Sequence, residues 1–348
     1  MRFGIAGRNR GFVTICRSIA ALVMTMPAAT AVAEVEPGYD IYARPGAMVA
    51  ISPDRRLNLR CTGKGPMTVI LESGLGFPSF SWRKVQPVVA RTSRVCSYDR
   101  AGLGFSDPGP LPRSAAAIVG DLEKLVRNGG LKPPFVLVGS SLGSQPVRLF
   151  AFRHLEQVAG IVLVDPYVEG QNRRYAAIEP RFAKEDADYA INERRCLALL
   201  ERRALTAEMA ENQHCIGSAD PSFSPTLLRI VRQQRLNPAT ARTVFSESQS
   251  LETLSEVEIR RETRSLGDMA IIVLTAEAGF ADTQPFYQLL LAEQRRLHKT
   301  LAALSTRGEE RLVSGADHVI QASHPMAVVD AIAEIIARAK AAKSATPL

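Results

Sequence analysis

The segment Gly139-Ser140-Ser141-Leu142-Gly143 limits the possible fold more than any other part of the chain. It follows a short apolar run at 135–138 and precedes a stretch at 145–154 that reads as a helix. A Gly-x-Ser-x-Gly sequence between a strand and a helix is typical of a nucleophile elbow, in which the serine occupies a sharp, strained turn. The glycines are needed because larger side chains would collide with the neighbouring strand and helix. The segment therefore predicts an exposed Ser141 hydroxyl, with the Leu142 N–H available to a developing oxyanion.

Strands and helices alternate around this segment. A hairpin is predicted over 44–61, strands over 67–71, 94–98, 135–138, 160–164, 269–274 and 311–313, and helices over 81–90, 115–129, 284–304 and 325–340. Continuous apolar runs separated by helices are typical of a parallel sheet that is covered on both faces. We therefore predict an α/β fold.

The alternation stops between 167 and 265, where charged helical stretches dominate. Ser224-Pro225 and Asn237-Pro238 each combine an N-cap residue with a proline at the first helical position. We predict a core formed by 34–166 and 266–348, with 167–265 as an inserted helical cap.

The first 33 residues predict an export signal. Four arginines lie among them, 19–26 is apolar but too short to span a bilayer, and Ala31-Val32-Ala33 resembles a cleavage site. A periplasmic or secreted location follows, with a retained amphipathic membrane anchor as the alternative.

Charge and spacing narrow the set of partners. The net charge of +8 falls to +4 without residues 1–33, which is typical of an ordinary solvated surface. The sequence contains no basic cluster interleaved with aromatic residues, so it does not indicate nucleic-acid binding. It also contains no His/Cys cluster with the spacing of zinc ligands. We predict a small-molecule substrate, no integral membrane span after the leader, and neither a cofactor nor a metal; the oligomeric state stays open.

Four cysteines follow the leader, and export would permit disulfides. Cys196 and Cys215 enclose 18 residues of one polar helical region, where a bridge would contribute about 3 kcal/mol on the loop-entropy model. Cys61 and Cys96 fall on two predicted strands and could also pair. Four free thiols are the alternative.

A serine nucleophile needs a base, and His318 is the best candidate. It lies in the loop after the last predicted strand, at the carboxyl edge of the sheet where functional groups gather. The remaining histidines lie in predicted helices or beside a helix start: His154, His214, His298 and His324.

Three carboxylates could orient that histidine. Asp165 ends the strand after the elbow helix, and Glu277 and Asp282 follow the next strand. Asp165 is preferred, although it could also be a turn residue before Pro166. A second oxyanion donor is predicted at the Leu75 N–H, between Gly74 and Gly76.

Together these segments resemble the α/β-hydrolase family over about 45–166 and 268–340. The matching segments are Glu72-Ser73-Gly74-Leu75-Gly76, the 98–107 stretch, Gly139–Gly143 and Gly315-Ala316-Asp317-His318. The resemblance implies a mostly parallel eight-stranded sheet with helices on both faces and a helical cap after the sixth strand. It also implies Ser141 as nucleophile, His318 as base, and Leu75 and Leu142 as oxyanion donors, in the chain order Ser, Asp, His.

The chain departs from the family pattern in three places. Ser73 replaces the usual histidine before the first oxyanion glycine, Ser140 replaces a frequent histidine in the elbow, and 275–279 lacks the usual Gly-x-x-Asp. The last departure favours Asp165. The recurring Asp99-Arg100 pair is expected to be a structural ion pair outside the site. Trp82 is expected in the core, with a substrate wall as the alternative.

The favoured function is a serine hydrolase that cleaves a carboxylic ester, lactone or thioester through an acyl-enzyme on Ser141. Aspartate replaces serine at the elbow in epoxide hydrolases and haloalkane dehalogenases of the family, so that chemistry is disfavoured. A ligand-binding or sensor protein with little turnover and an acyltransferase remain alternatives. The sequence does not identify the substrate.

Overall fold

The computed structural model describes residues 39–217, 220, 222–278 and 285–345. Its single sheet has eight strands in the order β1-β2-β4-β3-β5-β6-β7-β8. The strands are β1 Ala47–Ser52, β2 Arg55–Thr62, β3 Thr68–Glu72, β4 Arg94–Tyr98, β5 Phe135–Ser140, β6 Val158–Val164, β7 Ala270–Ala276 and β8 Gly308–Val313. β2 pairs antiparallel with β1 and β4, and the other pairs are parallel. The predicted fold class is confirmed.

Helices cover both faces of the sheet. They are α1 Gln86–Val89, α2 Ala115–Asn128, α3 Ser144–Arg153, α4 Gln171–Ile178, α5 Arg181–Glu201, α6 Ala207–Asn212, α7 Pro225–Arg235, α8 Pro238–Leu251, α9 Leu254–Glu262, α10 Pro285–Ala302, α11 Ile320–Ser323 and α12 Pro325–Ala345. The helix predicted over 81–90 is instead a 3-10 turn at Ser79–Trp82 followed by α1. Pro87 explains the break, because it lacks an N–H and its ring clashes with the preceding turn.

The hydrophobic core has two layers, one on each face of the sheet. In β5, Phe135 and Leu137 pack into one layer, and Val136 and Val138 pack into the other. This alternation is the period of a strand that is buried on both sides. Trp82 has no exposed surface and belongs to the second layer, as expected of a core residue.

Among the described residues, six helices, α4 to α9, lie between β6 and β7 and form the cap, as predicted. The last of them fixes the cap to the core. Glu258 of α9 accepts hydrogen bonds from Ala116 N and Ser114 Oγ, both 2.8 Å away, at the start of α2. A carboxylate at a helix N-terminus also interacts favourably with the helix dipole.

Two disulfides link the cysteine pairs considered above. Cys61 and Cys96 lie directly opposite each other on β2 and β4, with Cα atoms 4.0 Å apart. Cys196 of α5 bonds to Cys215, which follows α6. On the loop-entropy model each bridge stabilises the fold by about 3–4 kcal/mol. Both bridges are compatible with export.

The predicted export signal lies outside the described residues. Within the ranges that the structure describes, no helix is both long enough and apolar enough to cross a membrane.

Candidate active site

Ser141 lies in a strained turn between β5 and α3. Its φ of 50° is in the left-handed region, which non-glycine residues seldom adopt. A Cβ at Gly139 would lie 2.5 Å from the Gly143 carbonyl oxygen, and a Cβ at Gly143 would lie 2.7 Å from the Glu72 carbonyl oxygen. Both positions must therefore be glycine. The two glycines allow the turn to pack against the end of β3 while the Ser141 side chain stays partly exposed.

Ser141, His318 and Asp165 are connected by hydrogen bonds. The Ser141 Oγ atom lies 3.0 Å from His318 Nε2, and His318 Nδ1 lies 2.5 Å from Asp165 Oδ2. The residues follow β5, β8 and β6 respectively, at the carboxyl edge of the parallel part of the sheet. The structure thus brings together the three residues that the sequence selected as nucleophile, base and acid.

Several contacts fix the Asp165 carboxylate. Its Oδ1 atom accepts hydrogen bonds from Ala276 N at 2.9 Å and from Gln294 Nε2 at 2.7 Å. The side chain is buried, and the backbone φ is 41°. These contacts occupy Oδ1 and leave Oδ2 directed at His318, which is the arrangement that selects one histidine tautomer.

The other candidate acids make different contacts or are not described. Glu277 Oε2 accepts a hydrogen bond from Gly315 N at 3.1 Å, in the loop that precedes His318. Asp282 lies outside the described residues. Among the other histidines, His154 lies at the end of α3, away from Ser141, and contacts Glu123 of α2.

The predicted oxyanion residues lie on both sides of Ser141. A Cβ at Gly74 would be 3.4 Å from the Ser141 Cβ, so the segment 73–76 passes directly beside the serine. The Leu75 and Leu142 side chains pack in one apolar cluster, together with Ile118, Tyr167 and Leu251. This cluster lies beside the Ser141 backbone, because it contains Leu142 and also Tyr167, whose N–H donates to the Ser141 carbonyl oxygen at 3.1 Å.

Asp99 and Arg100 do not form the expected pair with each other. Asp99 accepts hydrogen bonds from Ser79 N and Asn58 Nδ2, each at 2.7 Å, and from Phe105 N. Arg100 instead bonds to the carboxylates of Glu72 and Glu247. Successive side chains in extended backbone point in opposite directions, so two neighbours at the end of β4 reach different partners. Glu247 belongs to α8 of the cap, and no sequence motif indicated it.

His298 is a second buried residue that the sequence did not indicate. Its Nε2 atom lies 3.0 Å from the Pro166 carbonyl oxygen, and its Nδ1 atom lies 2.8 Å from Thr275 Oγ1. A carbonyl oxygen only accepts, so Nε2 donates, and His298 fixes the turn directly after Asp165. Burial lowers the pKa of His298 from its ordinary value of 6.5.

We expect the lowered pKa of His298 to make folding stability depend on pH. As the pH falls, the imidazole takes up a proton near pH 6.5 in the unfolded chain, but only at a lower pH in the folded protein. The free energy of unfolding therefore falls as the pH falls below 6.5, by at most about 1.4 kcal/mol per pH unit. Above pH 6.5 the contribution of neutral His298 to stability is fully present.

Denaturant unfolding between pH 5 and pH 8 measures this effect, with His298→Gln as the comparison. The glutamine can still donate to Pro166 but does not titrate. The difference in unfolding free energy between the two proteins should change below pH 6.5 and stay constant above it. Parallel pH profiles would contradict this assignment.

Within the described ranges, no three or more His, Cys, Asp or Glu side chains are grouped so that they could hold a metal ion.

The sheet order and the serine in the turn after a central strand define a class of α/β proteins. A sequence model of the alpha/beta hydrolase family matches residues 69–331, which is more than half of the chain. The protein belongs to the alpha/beta hydrolase family.

Curated relatives match this chain over shorter stretches. An AB hydrolase superfamily protein from Gibberella zeae is 36% identical over 110 residues, which is 30% of this chain and 34% of that protein. The uncharacterized protein YqjL from Bacillus subtilis is 32% identical over 104 residues, which is 30% of this chain and 41% of YqjL. The chain thus spans about two fifths or less of the length of these relatives.

Solved structures share the fold at low sequence identity. A Pseudomonas aeruginosa protein provisionally assigned as an epoxide hydrolase superposes with a TM-score of 0.64 and 21% identity, covering 85% of this chain and 96% of that one. A thermophilic esterase from Thermogutta terrifontis has a TM-score of 0.56 and 19% identity, covering 85% of this chain and 99% of its own. At this level of identity the likeness shows the fold alone.

Proposed function

We propose that the protein is a serine hydrolase that cleaves an ester-like small-molecule substrate through an acyl-enzyme on Ser141. The observation that supports this most directly is the hydrogen-bonded chain from the Ser141 hydroxyl through His318 to Asp165, with distances of 3.0 and 2.5 Å. Nucleophile, base and orienting carboxylate in this order are the requirements of the mechanism.

In the proposed reaction, Ser141 Oγ attacks the carbonyl carbon while His318 Nε2 takes the hydroxyl proton. The backbone N–H groups of Leu75 and Leu142 stabilise the oxyanion. The tetrahedral intermediate collapses, the bond from the carbonyl carbon to the leaving oxygen (sulfur in a thioester) breaks, and His318 returns the proton to the departing alcohol or thiol. Water, deprotonated by His318, then releases the acid and restores Ser141. Asp165 holds the imidazole and stabilises its charged form.

An apolar cluster beside the Ser141 backbone supports an ester-like substrate class. The apolar cluster of Leu75, Leu142, Tyr167 and Leu251 would accept an uncharged acyl group. Carboxylic esters, lactones and thioesters meet that condition.

The cap at 167–265 would cover this site, while the core at 34–166 and 266–348 supplies the reacting groups. The two disulfides support an exported, periplasmic or secreted enzyme.

A fluorophosphonate probe tests the proposal, because it forms a covalent adduct with activated serines. We expect stoichiometric labelling, with the adduct located on Ser141 by peptide mass spectrometry. Hydrolysis of p-nitrophenyl esters of increasing acyl length, and of a set of lactones, then defines the substrate class. Folded protein that resists the probe and hydrolyses none of these compounds would favour a ligand-binding protein instead.

A further inference from the structure

We propose that Glu247, a residue of the cap, is a positioning residue for the oxyanion loop, which we define as residues 73–76. It acts through Arg100. The inference rests on the proposed function, since it concerns how the Leu75 N–H is directed at the reacting carbonyl. It assigns to the cap a part in turnover besides covering the site.

The Arg100 guanidinium uses all five of its N–H donors. Nε donates to Glu247 Oε1 at 2.7 Å, and the two Nη2 donors reach Glu247 Oε2 at 2.9 Å and the Gly74 carbonyl oxygen at 2.8 Å. The two Nη1 donors reach Glu72 Oε1 at 2.8 Å and the Ser73 carbonyl oxygen at 2.6 Å. Because every donor is used, the guanidinium has one orientation. A displacement of Glu247 would therefore displace the guanidinium and, with it, the loop.

The bond to Gly74 also sets the direction of the Leu75 N–H. A peptide unit is planar and trans, so the carbonyl of Gly74 and the N–H of Leu75 point in opposite directions. Arg100 Nη2 and Phe77 N both donate to this carbonyl. A rotated peptide would lose these bonds and turn the Leu75 N–H away from its present direction. Since Gly74 passes beside Ser141, this orientation decides whether the donor can serve the oxyanion.

Glu247 contacts the oxyanion loop directly as well. Its Oε2 atom accepts a hydrogen bond from Gly76 N at 3.2 Å. The loop is therefore held on both sides of Leu75, at the Ser73 and Gly74 carbonyls by Arg100 and at the Gly76 amide by Glu247. One carboxylate from α8 takes part in both attachments.

The burial of the ion-paired cluster of Glu72, Arg100 and Glu247 favours a role in positioning the loop over a role in stabilising the fold. The side chains of Glu72, Arg100 and Glu247 are each at most 1% exposed. Burial lowers the pKa of Arg100, but the carboxylates of Glu247 and Glu72 outweigh this effect and raise the pKa above its ordinary value. Buried ion pairs contribute little net stability, because desolvation offsets the attraction, whereas their geometry is well defined.

The test is Glu247→Gln in the full chain, with p-nitrophenyl acetate as the substrate. The amide keeps the shape of the side chain but presents a donor where Arg100 or Gly76 needs an acceptor. We expect kcat to fall by about 10- to 100-fold, which is less than removal of an oxyanion donor causes, while KM changes by less than about threefold.

An aryl trifluoromethyl ketone separates positioning from general destabilisation, because its adduct with Ser141 carries an oxyanion. Its inhibition constant should rise by the same factor by which kcat/KM falls, while that of acetate, the product, stays unchanged. The matched control is Glu262→Gln, which breaks the bidentate pair that Glu262 of α9 forms with Arg153 of α3. This pair also joins cap and core but does not contact the oxyanion loop.

The inference is wrong if Glu247→Gln turns over and binds the ketone like the unmodified protein, or if Glu262→Gln loses kcat equally. If Glu247→Gln does not fold, Glu247→Asp serves instead, because it keeps the charge and withdraws it from the loop; unchanged kinetics in that variant would also contradict the inference. Failure of the proposed function is distinguishable, since the unmodified protein would then resist the fluorophosphonate and hydrolyse no ester, or a Ser141→Ala variant would keep its activity, whatever Glu247 does.

Discussion

Replacing Ser141 with alanine should reduce kcat for p-nitrophenyl ester hydrolysis by about 10⁴- to 10⁶-fold and abolish fluorophosphonate labelling. The variant lacks the oxygen that forms the acyl-enzyme, and the neighbouring groups cannot replace it. Folding should be preserved, because alanine removes one partly exposed hydroxyl whose hydrogen-bond partner is His318. Steady-state kinetics with the purified protein measure the loss, and circular dichroism verifies the fold.

The adjacent serine provides a matched control. Ser140 is buried, and its hydroxyl lies 3.1 Å from Gln321 Nε2. Ser140→Ala should keep kcat/KM within about threefold of the unmodified protein. Ester hydrolysis that survives Ser141→Ala undiminished would contradict the assignment of the nucleophile, and with it the proposed acyl-enzyme.

Replacing Asp165 with asparagine should reduce kcat by about 10³- to 10⁴-fold. The amide keeps the volume of the side chain but no longer stabilises a positively charged imidazole, and it favours the wrong histidine tautomer. Ala276 N and Gln294 Nε2 would compete with His318 for a single carbonyl oxygen. Pre-steady-state kinetics with a p-nitrophenyl ester would show a slower acylation step.

Two further carboxylates serve as controls for this prediction. Glu277→Gln neutralises a carboxylate that contacts Gly315 N, and Asp282→Asn neutralises the remaining candidate acid. Both variants should hydrolyse the ester at rates within about fivefold of the unmodified protein. If one of them abolishes turnover and Asp165→Asn does not, the acid has been assigned to the wrong strand.

Much of the core could be predicted from the sequence, because its strands are continuous apolar runs. The strand over 94–98 matches β4 to the residue, and the elbow motif begins in the last two residues of β5 and ends directly before α3. Ser141, Asp165 and His318 could be selected as candidates because each follows a strand, and the carboxyl ends of parallel strands lie at one edge of the sheet.

Contacts between distant elements could not be predicted. Glu247 lies 147 residues after Arg100, inside a cap whose helices share the same amphipathic composition, so nothing in the sequence pattern distinguishes this buried residue from the exposed glutamates of the cap. His298 lies on a helix that looks polar, although its ring is fully buried beneath the site. The choice among Asp165, Glu277 and Asp282 depends on side-chain directions in loops, which periodicity does not report.

The contact of Glu258 with the start of α2 limits how freely this protein can be re-engineered. The carboxylate that completes the N-terminus of a core helix comes from the inserted segment, so a chimaera with a foreign insertion would leave the amide of Ala116 and the hydroxyl of Ser114 without their acceptor. Recombination designed to exchange specificity should therefore graft only the portion preceding α8, so that α8 with Glu247 and α9 with Glu258 stay with their native scaffold.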